Sequence, residues 1–139
     1  MNIKSLLISI FTVFVAVTIT DFLIHGLWLK PLYGATKELW RPEGEMSSGK
    51  YMAWLHAAHI LAAITFTTLW AVGFAQNAKA SCAVKYGLFM ALYGQTHTLI
   101  SYAVQPITLE IVWKWIISGS VQGILLGLIL FKVYKPKSA

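Results

Sequence analysis

The chain has 139 residues, 58% of them hydrophobic and only 12% charged, with a mean hydropathy of +0.67, which argues against a soluble single-core domain and for a membrane protein. Its net charge of +6 is read as membrane topology, because no basic stripe interleaved with aromatics suggests nucleic-acid binding. The single cysteine, Cys82, excludes an intramolecular disulfide and a multi-cysteine metal site.

The first apolar segment runs from about Ser5 to Leu29 and carries no charge except Asp21. At about 1.5 Å per residue it is long enough to cross a hydrocarbon core of roughly 30 Å with some tilt. Met1 to Lys4 resembles the start of a signal peptide, but the apolar run is too long and no small-x-small cleavage site follows, so the segment is expected to be retained. Near its far end, Thr18-Ile19-Thr20-Asp21-Phe22-Leu23-Ile24-His25-Gly26 places Asp21 and His25 at i,i+4, one face of a helix. A carboxylate and an imidazole inside a spanning segment are costly, which makes them candidate functional residues.

Lys30 to Lys50 forms a polar outer loop with two prolines and three glycines. Pro31 to Trp40 is expected to form a short helix at the membrane interface, anchored by Tyr33 and Trp40, and Trp40-Arg41-Pro42-Glu43-Gly44-Glu45-Met46 reads as a turn. The second segment, about Tyr51 to Phe74, contains His56 and His59. A polar turn at 75–81, holding Gln76, Asn77 and Lys79, leads to the third segment, about Ala83 to Val104, with Lys85, Gln95, His97, Thr98 and Ser101. Gln105-Pro106 breaks that helix. The fourth segment, about Leu109 to Val133, opens with Glu110 and Lys114 and is followed by Lys135 and Lys137.

Four spans joined by two short hairpins predict an all-α integral membrane protein: one transmembrane domain, a four-helix up-down-up-down bundle. One side carries Lys4, Lys79, Lys85, Lys132, Lys135 and Lys137; the other carries Lys30, Lys37, Arg41, Lys50 and Lys114 together with the acids. Six basic residues against five place both termini in the cytoplasm. Gly119, Gly123 and Gly127 recur every fourth residue, and Gly87, Ala91, Gly94 and Thr98 form a similar stripe. Such small residues let helices approach closely in lipid, so segments three and four are expected to pack together, with a homo-oligomer or larger partner as the other use of that face.

Asp21, His25, His56, His59 and His97 all fall roughly 6 to 12 Å from the outer boundary, and Lys114 shares that layer. Three readings follow, besides a proton or ion pathway, against which the thinning of polar residues toward the inner half argues. Paired His and Asp residues on facing helices are how bundles build transition-metal sites, here with ligands drawn from Asp21, His25, His56, His59 and His97. The same histidines could hold a b-type haem, for example His56 or His59 opposite His97 or His25, and a quinone-type headgroup held by a histidine with Asp21 or Gln95 belongs to the same class. The third reading, favoured here, is that these groups satisfy one another, since a buried aspartate needs a donor and histidine is cheap near the headgroups. Enzymatic nucleophile chemistry has little support: Cys82 is far from this layer and no serine motif is present.

Asp21-Phe22-Leu23-Ile24-His25-Gly26, Pro31-Leu32-Tyr33, Trp40-Arg41-Pro42-Glu43-Gly44-Glu45-Met46, Val84-Lys85-Tyr86-Gly87-Leu88 and Tyr102-Ala103-Val104-Gln105-Pro106-Ile107 resemble a family of small bacterial four-helix inner-membrane proteins built on a domain of unknown function. The resemblance covers most of the chain and implies four spans in a bacterial inner membrane, with no activity to transfer. His56-Ala57-Ala58-His59 departs from that pattern and marks something particular to this chain. The expected function is therefore a non-enzymatic accessory or subunit protein in contact with lipid and a larger membrane partner, the alternative being a haem- or metal-binding redox protein.

Overall fold

A computed structural model describes residues 1–76 and 78–137; Asn77, expected in the 75–81 turn, lies outside them. The described chain is all-helical. Helix α1 (Ile3–Asp21) continues without a break into a seven-residue π-helical segment (Phe22–Trp28). The short α2 (Lys30–Ala35), a 3₁₀ turn (Lys37–Leu39) and α3 (Glu43–Met46) fill the first connection. Three 25-residue helices follow: α4 (Gly49–Gly73), α5 (Ala80–Val104) and α6 (Leu109–Val133).

Three of the helical stretches, Ile3–Trp28, Gly49–Gly73 and Leu109–Val133, are long and apolar enough to cross a membrane. Helix α5 matches them in length, but Lys85, Gln95, Thr96, His97 and Thr98 make it more polar. Asn2 caps α1 by accepting from the Ser5 amide at 3.2 Å, and Thr108 caps α6 through Ile111 at 3.4 Å, so both helices start where a side chain satisfies an orphan N–H.

Each long helix buries one narrow stripe. In α1 it is Ser5, Ser9, Val13 and Val17, with Leu6 beside it, and in α4 it is His59, Ala63, Thr67 and Trp70. Both follow the three-to-four-residue period of a helix face. Helix α1 is central, packing against α4 on one side and α6 on the other, while α5 packs along α6. The α5–α6 contact is the tightest, because a Cβ on Gly87 would strike the Gly123 carbonyl and a Cβ on Gly127 would strike that of Ala83. Backbone contact of this kind needs glycine and is how helices associate where no water drives them together. Gly94 lies outside the contact, with nothing near its missing Cβ.

At the end holding the termini, Phe66, Trp70, Phe74 and Tyr86 form an aromatic cluster with ring centroids 4.8 to 5.3 Å from that of Tyr86. The Tyr86 hydroxyl donates to the Phe66 carbonyl, which joins α5 to α4. The Lys135 amide donates to Ser5 Oγ at 2.6 Å, so the chain's two ends meet. The first connection covers the opposite end.

Candidate functional site

The site starts where α1 becomes π-helical. Leu29 N–H donates to the Ile24 carbonyl, five residues back, at 2.8 Å. Gly26 makes room inside this wider turn, since a Cβ there would stand 2.9 Å from the Phe22 ring. Single-turn π segments are frequent at functional sites because they re-aim side chains. Here Asp21 and His25, which a regular helix would stack on one face, enter two separate hydrogen-bonded groups.

Asp21 belongs to the first. Its Oδ2 accepts from His59 Nε2 at 2.7 Å, and its Oδ1 accepts from Gln122 Nε2 at 2.7 Å. The same Gln122 amide reaches Thr20 Oγ1 at 2.7 Å, using its second proton. One carboxylate thus binds α1 to both α4 and α6. His59 is buried and also meets Thr18 Oγ1 through Nδ1 at 3.2 Å. Thr18 has a single hydroxyl proton and two acceptors in reach, His59 Nδ1 and the Phe14 carbonyl at 2.8 Å. When it donates to Nδ1 the imidazole is neutral, and when it turns to Phe14 the ring must carry its own Nδ1 proton to keep the contact.

His25 belongs to the second group. Tyr33 Oη lies 2.6 Å from His25 Nδ1 and 2.7 Å from Trp115 Nε1. Indole nitrogen can only donate, so Tyr33 accepts from Trp115, and the direction of its bond with His25 Nδ1 is set by which ring nitrogen of His25 carries the proton. Trp40 packs against Tyr33 and Trp115 with ring centroids 5.1 and 6.1 Å away, and its indole donates to Thr36. Burial pushes the Tyr33 phenol above its ordinary pKa. Tyr33 and Trp40 therefore pack over the first turns of α6 at Trp115. Arg41 holds the following turn, donating to Tyr51 Oη at 3.0 Å with its guanidinium 4.3 Å above that ring.

The remaining candidates divide. His56 stands beside His59, ring centroids 6.2 Å apart, and its Nδ1 is buried without a hydrogen-bond partner. His97 is on the exposed side of α5. Among the described residues no three His, Cys, Asp or Glu side chains come together as a metal-binding group. Lys114 is paired with Glu110 at 2.6 Å. The residues that complete the site, Gln122, Tyr33 and Trp115, were not among the candidates. For Gln122 a signal existed: a lone amide in an apolar helix, one turn beyond Ser118 and two beyond Lys114.

Between the two groups lies a cleft of about 230 Å³ lined by residues of the π segment, α5 and α6, including His25, Gln95, Thr98, Trp115, Ser118 and Gln122. No protein-family model, curated protein or solved structure matches the chain.

Proposed function

We propose that the protein is a small non-enzymatic accessory subunit of a bacterial inner membrane, working through contact with a larger membrane partner. In this reading it is a single four-helix up-down-up-down bundle crossing the bilayer four times, with both termini cytoplasmic, in keeping with the family its motifs resemble. Helix α5 would be the fourth span: 25 residues at about 1.5 Å each exceed a core of roughly 30 Å. Gln95 and Thr98 line the cleft, and Lys85 lies near the end of α5 that adjoins the termini, where a charge costs less than at the centre.

The observation that carries the reading is the saturation of Asp21. Both its oxygens are taken by donors from neighbouring helices, so the most expensive group in the interior serves helix assembly and is not held open for chemistry. A haem or transition-metal centre would need more of the histidines to converge: His56 and His59 adjoin, but His25 is tied to Tyr33, His59 to Asp21, and His97 is exposed on α5. The outer surface is apolar, with Phe11, Leu61, Val72, Phe89, Ile100 and Val121 all exposed, which suits lipid and the flank of another membrane protein.

The test is affinity purification from native membranes in mild detergent after cross-linking in the membrane, followed by an optical spectrum and elemental analysis. A larger membrane protein recovered reproducibly with a colourless, metal-free chain is the expected result. Repeated recovery of the chain alone overturns the subunit reading, and a Soret band or stoichiometric metal overturns the non-redox one.

A further inference from the structure

The cleft has a second part. Along the outside of α1 and α6 runs a groove of about 360 Å³ walled by Leu23, Trp28, Ile117, Val121 and Leu125. It shares Ile24, Ser118 and Gln122 with the polar cleft, so the two lie side by side. The groove walls are exposed, Val121 by 62% and Ile117 by 58%, and on the proposed topology they face lipid. A polar cleft beside an apolar groove is complementary to a molecule with a compact polar head and a hydrocarbon tail.

The unspent hydrogen-bonding groups define the head. Gln95 accepts from Thr98 at 2.7 Å through Oε1, which turns its NH₂ toward Gly119, where a Cβ would collide with that amide. That NH₂ has no partner among the described residues, and Gln95 lines the cleft. His25, its Nδ1 engaged by Tyr33, leaves Nε2 as its remaining polar atom at the cleft. Gln122 has spent its NH₂ on Thr20 and Asp21 and keeps Oε1 as an acceptor. The cleft thus presents an amide nitrogen, an imidazole nitrogen and an amide oxygen, and its lining includes no Lys, Arg, Asp or Glu. A phosphate or carboxylate head would find no cation there. A space of about 230 Å³ also has room for one substituted six-membered ring.

We infer that this cleft and groove bind a lipid-phase molecule with an uncharged ring head bearing carbonyl or phenolic oxygens, the chemistry of a membrane quinone, with its tail along Leu23, Ile117 and Val121. The inference concerns binding alone, and it holds or fails whether or not a partner protein exists, because the purified chain is tested by itself.

The probe is decylubiquinone, titrated into the detergent-solubilised protein and followed by quenching of tryptophan fluorescence, since Trp115 and Trp28 stand in the walls. Saturable quenching approaching one quinone per chain is expected. Gln95→Leu removes the head donor and Val121→Phe fills the tail groove, and each is expected to weaken apparent affinity about ten-fold or more. Because Val121 is exposed, its variant keeps the test intact even if Gln95→Leu fails to assemble. The same ring without a tail should bind more weakly, and dodecane should not displace the quinone. Quenching that rises without saturation, or variants that titrate like the unmodified protein, overturns the site, and displacement by dodecane at equal concentration overturns the assignment of a polar head.

Discussion

His59 and Gln122 both donate to Asp21, yet they are not equivalent. Gln122 can be replaced by leucine at the cost of one interhelical hydrogen-bonding arm, and such bonds in membrane proteins average about 0.6 kcal/mol and reach about 1.7. Loss of His59 leaves a carboxylate that is only 26% exposed without its charged or polar partner on α4, and the cost of stranding such a group is roughly 2–3 kcal/mol. The expected order in detergent unfolding is therefore Gln122→Leu mildly and His59→Leu strongly destabilised. The double variant Asp21→Leu/His59→Leu should recover much of the second loss, because no stranded charge remains. A neutral His59→Leu would show that the pairing carries no stability. Asp21 and His59 were legible in the sequence for the same reason that they matter here: a titratable group in an apolar run must find a partner. What could not be read was which partner. Only the fold brings Gln122, 101 residues away, to Asp21.

At the scale of elements, two glycines of the α5 stripe make opposite predictions for substitutions that look alike. Gly87→Ala pushes a methyl into the Gly123 carbonyl and backbone, an overpacking expected to cost about 1–3 kcal/mol or more. Gly94→Ala meets nothing and should gain about 0.4–1 kcal/mol from reduced freedom of the unfolded chain. Thermal unfolding of the two variants side by side checks this, and equal effects would refute the α5–α6 contact as drawn. The stripe was visible in sequence because spacing by four survives any tertiary detail, but the sequence could not show that Gly94 drops out of the contact. The π segment was equally hidden, since nothing in the apolar pattern distinguishes a five-residue turn from a four-residue one. The first connection makes a separate prediction through Tyr33, whose buried phenol resists ionisation. Below its usual pKa of about 10 folded and unfolded chains both hold the proton. As pH rises beyond that, the unfolded chain loses it first, so stability falls. Tyr33→Phe should cost about 0.5–1.5 kcal/mol at neutral pH through its lost hydrogen bonds, and the gap to the unmodified protein should narrow above about pH 10. A gap independent of pH would mean that the phenol is solvated.

For the molecule as a whole, the meeting of the two chain ends is what makes topology testable. Ser5 and Lys135 are hydrogen-bonded, so the N-terminus, the turn near residue 79 and the C-terminus share one end of the helices, and the α2–α3 connection lies at the other. Charge assigns the sides only weakly, six basic residues against five, because acids contribute little to the positive-inside bias. Labelling can decide what counting does not. Cys82, the one native cysteine, is partly exposed near the terminal end of α5, and Cys82→Ser provides a background for single cysteines placed at Lys137 and at Gly44. With a membrane-impermeant maleimide, Lys137→Cys should react only in inverted vesicles and Gly44→Cys only in intact spheroplasts. The reverse pattern would put both termini outside and turn the π segment, Tyr33 and the mouth of the cleft toward the cytoplasm. Reaction of both cysteines from the same side would mean that the chain crosses an even number of times between residues 44 and 137. That result would remove α5 as a span, and the polar face it presents to the cleft would then lie in water.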